Sequence, residues 1–287
     1  MRTSIKCFLS IAVLVCGAIT QAAEQMDEKR IKELTSFGTK AFGIKWDAQP
    51  IGGTERGVSA VTDGNITLTT RDSSRTFILH DRKHFPPREE DQFKGSDAAL
   101  KRIGIRLLLA SGANKSEILQ MKISRQFTQL GQANQDGKAV KLQAAKRSHP
   151  TLVITRQVGG VPVLSSRLLL NVDSAGRIAF MELSWPDIDP EVIARANRYR
   201  AVVAKKFVAP EMEGAAIEEV QSSVIHSPAV GFYNDMAAGI RVIYSPTAKQ
   251  IGQKSVRYLD ETGNDISMPR DVDLPKEEVL KRDMNKQ

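Results

Sequence analysis

The stretch that most constrains the fold runs from Val158 to Ile178 and reads VGGVPVLSSRLLLNVDSAGRI. Apolar and polar residues alternate along it, which is the pattern of strands that bury one face. Two turn signals interrupt the alternation, Gly159-Gly160 and the segment Asp173–Gly176 (DSAG). The sequence therefore predicts antiparallel strands joined by tight turns, at Leu152–Gln157, Pro162–Val172 and Arg177–Trp185.

The first 22 residues have the organisation of a secretory signal peptide. Arg2 and Lys6 precede an apolar run, CFLSIAVLVCGAIT, which ends around a plausible cleavage site at Thr20-Gln21-Ala22. The run is shorter than the about 20 residues that span a membrane comfortably, and an uncleaved N-terminal anchor is the alternative. We predict export to the periplasm or the extracellular space. Both cysteines, Cys7 and Cys16, lie in this segment, so the core of the exported chain must hold the fold without disulfides.

The charge of the chain restricts the classes of partner. Lys and Arg number 41 against 33 Asp and Glu, a net charge of +8, and the predicted signal peptide contains two of the basic residues. Charge of this size, spread along the chain, favours anionic surfaces such as a membrane only weakly. We expect no nucleic-acid partner, because the chain is predicted to be exported and its aromatic residues, 6%, are sparse for base stacking.

The remaining patterns predict an α+β fold. Helical periodicity marks residues 25–42, the stretch from Ser96 to Gly112 and residues 190–207, and strand patterns separate these helices. We predict Ser96 and Asp189 as the caps of the second and third helices and Gly112 as the stop of the second. Helices that alternate with antiparallel meanders allow two tandem helix-plus-sheet units. The predicted ranges are a signal peptide at 1–22, an N-terminal helix and strand region at 23–92, a helix plus antiparallel sheet at 93–188, a second helix plus sheet unit at 189–270 and a charged flexible tail at 271–287.

One segment, Arg156–Trp185, resembles a known family. A strand runs into a G-x-P-V-x-x-S-x-L pattern, and a second strand follows a D-x-x-G-x-I turn. The matching positions are Arg156, Gly160, Pro162, Val163, Ser166, Leu168, Asp173, Gly176 and Ile178. This pattern is similar to PepSY-like and fungalysin/thermolysin propeptide domains, and with the predicted helix at 96–112 the resemblance extends over residues 96–185.

The resemblance implies a noncatalytic module. Domains of this family assist the folding of secreted metalloproteases and inhibit them, and free-standing members are thought to bind or restrain partners outside the cytoplasm. This sequence departs from the zymogen pattern, because it contains no HExxH motif and no protease follows the segment. The resemblance therefore implies a stand-alone binding or regulatory module, and it leaves the partner open.

Three residues are candidate metal ligands: His80, Asp81 and His84, in HDRKH. Spacing of i and i+4 brings two histidines together on a helix, as zinc sites require. A strand-like run precedes them and Pro86-Pro87 follows, however, so we favour a solvated basic loop over a metal site. We predict no metal and no cofactor.

Two other patterns can be interpreted as chemistry or as plain structure. Ser165 and Ser166 lack the G-x-S-x-G elbow that exposes a serine nucleophile, so we interpret them as sheet hydroxyls. The acidic segments 173–176 and 260–265 offer oxygen ligands for calcium, but hairpin turns use the same residues for backbone reasons. We interpret both segments as turns.

Four basic residues of the third predicted helix, Arg195, Arg198, Lys205 and Lys206, lie beside its apolar stripe and are the candidate contacts for an acidic partner. The alternative is an ordinary solvated face. The leading hypothesis is an exported, noncatalytic module that binds an envelope or secreted protein and restrains or chaperones a protease. An envelope hydrolase with an unrecognised site and a small-ligand-binding protein are the alternatives.

Overall fold

The computed structural model describes residues 28–55, 58–71, 75–85, 93–128, 131–133, 140–142, 146–205, 207–226, 236–247 and 254–266. The predicted signal peptide and the predicted tail lie outside these ranges, and both stay predictions. None of the helices in the described ranges combines the length and the apolar composition of a membrane span.

The chain forms two compact units. Unit 1 consists of Met1–Ile154 and Arg167–Trp185, and unit 2 of Thr155–Ser166 and Pro186–Gln287. Residues of the predicted ranges 23–92 and 93–188 thus meet in unit 1. Helices pack against mostly antiparallel sheet in each unit, so the α+β class predicted from the sequence is confirmed at this level.

The described residues of unit 1 form ten strands or parts of strands. They are β1 (Ile51–Glu55), β2 (Val58–Thr62), β3 (Ile66–Arg71), β4 (Thr76–Asp81), β5 (Ile118–Thr128), β6 (Gly131–Ala133), β7 (Val140–Leu142), β8 (Lys146–Val158), β9 (Val161–Val172) and β10 (Ile178–Ser184). The main sheet of this unit has the order β1-β2-β3-β4-β10-β9-β8-β5, and β6 pairs with β7 separately. The pairs from β1 through β9 in that order are antiparallel.

The first helix, α1 (residues 28–42), contributes an aromatic cluster to the core of unit 1. The ring centroid of Phe37 lies 5.2 Å from that of Phe42 and 4.8 Å from that of Phe77 on β4. The helix ends because Gly43 adopts a left-handed conformation, with φ of 68°. The Ile44 amide then donates to the Gly38 carbonyl at 3.2 Å, which directs the following residues back over the core.

The second helix, α2 (Asp97–Ala110), begins and ends at the signals expected from the sequence. The Ser96 hydroxyl accepts a hydrogen bond from the Ala99 amide at 3.2 Å, which satisfies one of the free N–H groups of the first turn. At the other end Gly112 has φ of 84°, and the Ala113 amide donates to the Leu108 carbonyl at 3.0 Å. The predicted cap and stop are confirmed.

A glycine lets α2 approach the sheet of unit 1 closely. A Cβ atom on Gly104 would lie 2.5 Å from Leu152 Cδ2 and 3.0 Å from Ile154 Cδ1, both on β8. Leu152 and Ile154 are fully buried, as are Leu100 and Leu107 on the helix. The absence of a side chain at position 104 therefore sets the spacing between helix and sheet.

Unit 2 begins with the tip of the β8–β9 hairpin. Gly159 and Gly160 have φ of 59° and 79°, the positive values that a two-residue type I′ turn requires and that match the twist of the strands. Three more strands follow, β11 (Ala215–His226), β12 (Met236–Pro246) and β13 (Ser255–Leu259). β11 is parallel to β9 at Val224 and Val163, and it is antiparallel to β12.

The third helix, α3 (Pro190–Lys205), packs against the strands of unit 2. The Asp189 carboxylate accepts from the Glu191 amide at 2.8 Å, so the predicted cap is confirmed. Ala196 and Tyr199 of the predicted apolar stripe are buried, and Val192, Val203 and Phe207 pack against the same core. Inside that core the Ser222 hydroxyl donates to the Ala196 carbonyl at 2.6 Å, which ties β11 to the helix.

Replacement of Gly104 by Val is expected to destabilise unit 1 by about 2 kcal/mol, because the added methyl groups overlap Leu152 and Ile154 in a close-packed core. The measurement is urea unfolding. Ala98→Val is the matched control, since Ala98 is exposed on the same helix and a valine there costs only helix propensity. Equal losses of unfolding free energy in the two variants would contradict the close approach of α2 to the sheet at Gly104.

Replacement of Ser222 by Ala is expected to cost about 1 kcal/mol, because a buried hydrogen bond is lost. Hydrogen exchange of the β11 amides should therefore become about fivefold faster, which is the free-energy loss expressed as a rate. Ser255→Ala, on the exposed side of β13, should leave this exchange unchanged. Unaltered exchange in Ser222→Ala would show that the bond to Ala196 contributes nothing.

Candidate functional site

A cavity of about 440 Å³ opens in unit 1 at one end of its sheet. This is the end at which β4 stops and β3 and β10 start, so two hairpin turns and the segment after β4 meet there. The segment after α1 and one face of α2 complete the wall. The lining residues are Phe42, Gly43, Ile44, Lys45, Asp47, Asn65, Ile66, Leu79, Asp81, Lys83, His84, Arg106, Gly176, Arg177 and Ile178.

Two of the turns at the cavity end of the sheet are fixed by carboxylates that accept hydrogen bonds from backbone amides. Asp173 Oδ1 accepts from the amides of Ala175 and Arg177, both at 2.9 Å. Asp63 Oδ1 does the same for the amides of Asn65 and Ile66, at 2.9 and 2.8 Å. Such side-chain turns are rigid because they replace water as the partner of the free amides. They hold Arg177 and Asn65 at the cavity.

A chain of four polar side chains runs along one wall. Asp81 Oδ2 lies 2.7 Å from His84 Nδ1, and Arg177 Nη2 lies 3.3 Å from His84 Nε2. At the far end Arg177 Nε donates to Asp173 Oδ2 at 2.7 Å. A guanidinium can only donate, so His84 Nε2 is the acceptor and Nδ1 carries the proton that is donated to Asp81. The network therefore assigns the neutral Nδ1–H tautomer to His84.

The carboxyl of Asp173 is the anchor of this chain. Burial of the group raises its pKa, but hydrogen bonds from the backbone and side chain of Arg177 and the attraction of that guanidinium act in the opposite direction. Their sum holds the pKa of Asp173 below its ordinary value of 3.8. The carboxylate thus stays ionised and keeps Arg177 oriented toward His84.

The rest of the lining divides into a cationic part and an apolar part. Lys45, Lys83 and Arg106 are the cationic residues besides Arg177, and no ion pair of theirs occurs within the described part of the chain. The apolar residues of the lining are Phe42, Ile44, Ile66, Leu79 and Ile178. With Asp47 and Asp81 as the two lining carboxylates, the cavity carries a net positive charge.

The structure separates the three candidate metal ligands. Asp81 and His84 meet at the cavity, whereas His80 precedes Asp81 in a strand and so points to the opposite face of the sheet. There the His80 ring packs against Phe85 and Phe180, at centroid distances of 5.2 and 6.4 Å. Among the described residues, no three His, Cys, Asp or Glu side chains converge on a possible metal position.

Among the described residues, Ser166 and the second acidic turn are not part of the cavity lining. Ser166 is buried in β9, and its hydroxyl has no hydrogen-bond partner within the described residues; the side chain of Ser165 lies outside them. Asp260 Oδ1 accepts from the amides of Thr262 and Asn264, at 2.8 and 2.9 Å. Asp260 therefore makes the same type of turn as Asp173, in agreement with the interpretation of both segments as turns.

The predicted basic contacts lie in unit 2. Arg195, Arg198 and Lys205 are exposed on α3, and Lys206 lies outside the described residues. Sequence reasoning missed Arg200 of the same helix, whose Nη1 donates to the Gly159 carbonyl at 3.0 Å. It also missed the cations of the cavity. Two of these cations could have been found from the sequence, because Arg177 directly follows the DSAG turn and Lys83 lies within the HDRKH segment.

Replacement of Asp173 by Ala is expected to destabilise unit 1 by about 1–3 kcal/mol at neutral pH, because three part-buried hydrogen bonds to the buried carboxylate are lost. The folded-state pKa is lowered, so this stabilisation is fully present above the ordinary value of 3.8 and is lost as the pH falls through the lower folded value. The free energy of unfolding, measured with urea, should be lower in the variant than in the wild type at about pH 7, and this difference should narrow toward about pH 2.

The exposed Glu33 of α1 provides the control, since its replacement by Ala should change stability little at either pH. If the difference in free energy of unfolding between Asp173→Ala and the wild type stays constant with pH, the role assigned to the charge of the Asp173 carboxylate is contradicted.

Comparisons with known proteins assign no family. No protein-family model and no curated protein matches the chain. Among solved structures, the chain is similar to the crystal structure of an uncharacterized protein from Eubacterium rectale ATCC 33656, with 10% sequence identity and a TM-score of 0.43. The similarity covers 84% of this chain and 82% of that chain.

Proposed function

We propose that the protein is an exported, noncatalytic binding module that acts on an envelope or secreted protein, and that the unit 1 cavity is where it holds this partner. One observation carries the proposal: the chain Asp81–His84–Arg177–Asp173 fixes charged groups beside an apolar wall. Side chains locked before a partner arrives lose little entropy on binding. Binding sites combine apolar surface with fixed polar groups, and this cavity has both, with more polar than apolar residues in its lining.

The same geometry argues against the hydrolase alternative. An aspartate hydrogen-bonded to Nδ1 of a histidine also forms two of the three members of a hydrolytic triad, in which Nε2 faces the nucleophile. Here Nε2 of His84 accepts a hydrogen bond from the guanidinium of Arg177 instead. No Ser, Thr or Cys occurs among the described residues that line the cavity. The Asp81–His84 pair therefore acts in positioning.

The sequence supports the regulatory part of the proposal. The apolar N-terminal segment has the pattern of a signal peptide, which favours export. The likeness of Arg156–Trp185 to PepSY-like and propeptide domains favours a module that restrains or chaperones a protease. We extend the proposal to two tandem helix-plus-sheet units, with the basic arc of α3 (Arg195, Arg198, Lys205 and Lys206) as a second contact. Each unit has its own buried core, which is compatible with this division.

Site-specific photo-crosslinking in the cells that export the protein tests the proposal. A photoreactive amino acid at Lys83, an exposed residue of the cavity lining, should give an adduct with an extracytoplasmic protein. The matched control is Arg102, an exposed cation on α2 that does not line the cavity. Mass spectrometry identifies the adduct.

The proposal fails if position 83 gives no protein adduct, or only one that position 102 gives equally. It also fails if the purified protein turns over an ester, phosphate-ester or peptide substrate and His84→Gln removes that turnover, because the cavity would then be catalytic.

A further inference from the structure

The charges of the cavity select an anionic ligand. Lys45, Lys83 and Arg106 line it from three different segments, the one after α1, the one after β4 and α2. Arg177 is already committed to Asp173 and His84. Three cations without an ion pair in the described part of the chain attract an anion, and an anion that also accepts hydrogen bonds from them gains more.

The apolar wall adds a second requirement. Ile66 and Ile178 are half-buried at the cavity and keep apolar surface that a ligand can cover, whereas Leu79, Phe42 and Ile44 are already nearly fully buried by the protein itself. An inorganic anion would leave the apolar surface of Ile66 and Ile178 without a partner. The ligand that fits both parts carries its anionic group next to an apolar side chain, because burial of apolar surface contributes about 25 cal/mol per Å².

Polar acceptors in the lining supply a third requirement. Asn65 Nδ2 donates to Asp47 Oδ2 at 3.2 Å, and the Asp47 amide donates to Asp63 Oδ2 at 2.8 Å. Asp47 Oδ1 and Asn65 Oδ1 remain as acceptors at the cavity. A hydrocarbon chain would bury them without a donor, which costs free energy, whereas a peptide N–H can donate to them.

We infer that the cavity binds the C-terminal carboxylate of a polypeptide that ends in apolar residues, with the carboxylate on Lys45, Lys83 and Arg106 and the last side chain on the apolar wall. This rests on the proposed function and names the part of the partner that enters the site. A chain end provides an anion, an apolar side chain and a backbone N–H within one residue.

Fluorescence anisotropy with labelled peptides tests the inference on the mature protein. The probe is a fluorescein-labelled peptide that ends in Ala-Leu-Leu with a free carboxylate, and its C-terminal amide is the matched control. The amide should bind at least tenfold more weakly, because charge-assisted hydrogen bonds are lost. Arg106→Glu should weaken the free acid at least tenfold, whereas Arg102→Glu, one turn earlier on α2, should change Kd less than twofold.

Three further probes distinguish the sources of an anion: the amidated peptide with an internal Glu, octanoate and inorganic phosphate. Each should compete weakly. Equal binding of the acid and the amide, a stronger competition by any of these probes, or no binding of the free acid at millimolar concentration would overturn the inference. A protein adduct from position 83 together with any of these results overturns the inference and keeps the proposed function, whereas a missing adduct overturns the proposed function itself.

Discussion

The geometry of the cavity depends on the hydrogen bonds and the ion pair that the buried Asp173 carboxylate makes. The carboxylate closes the β9–β10 turn through two backbone amides and holds the side chain of Arg177 at 2.7 Å. Arg177 in turn donates a hydrogen bond to His84 Nε2, so the ring proton is on Nδ1 and is donated to Asp81 at the end of β4. One side chain thus connects the turn before β10 with the end of β4. Loss of its charge would release both walls together.

Dense packing supports this arrangement without covalent links. Both cysteines precede the first described helix, so each unit relies on its own apolar core. In unit 1 the contact of α2 with β8 depends on the missing side chain at Gly104. Interiors packed at this density transmit small changes, and Arg106 lies on the same helix, half a turn beyond Gly104. Helix packing therefore positions one of the cavity cations.

Local signals made much of the fold predictable. Ser96 and Gly112 delimit α2, Asp189 begins α3, and DSAG forms a turn, because each of these residues satisfies or redirects backbone groups within a few positions. The cavity was not predictable in this way, since its residues come from five separate segments that only the strand pairing brings together. His80 is separated from His84 because β4 continues to Asp81 and successive residues of a strand face opposite sides of the sheet.

The central claim, that a fixed polar chain preorganises the cavity, is tested most directly by the ¹⁵N NMR spectrum of the histidine rings at neutral pH. His84→Gln assigns the resonances of His84 among the four histidines of the chain. The account predicts a neutral ring with the proton on Nδ1 and a hydrogen-bonded acceptor at Nε2. A ring protonated on Nε2 alone would contradict it, because Arg177 could not then donate to that nitrogen.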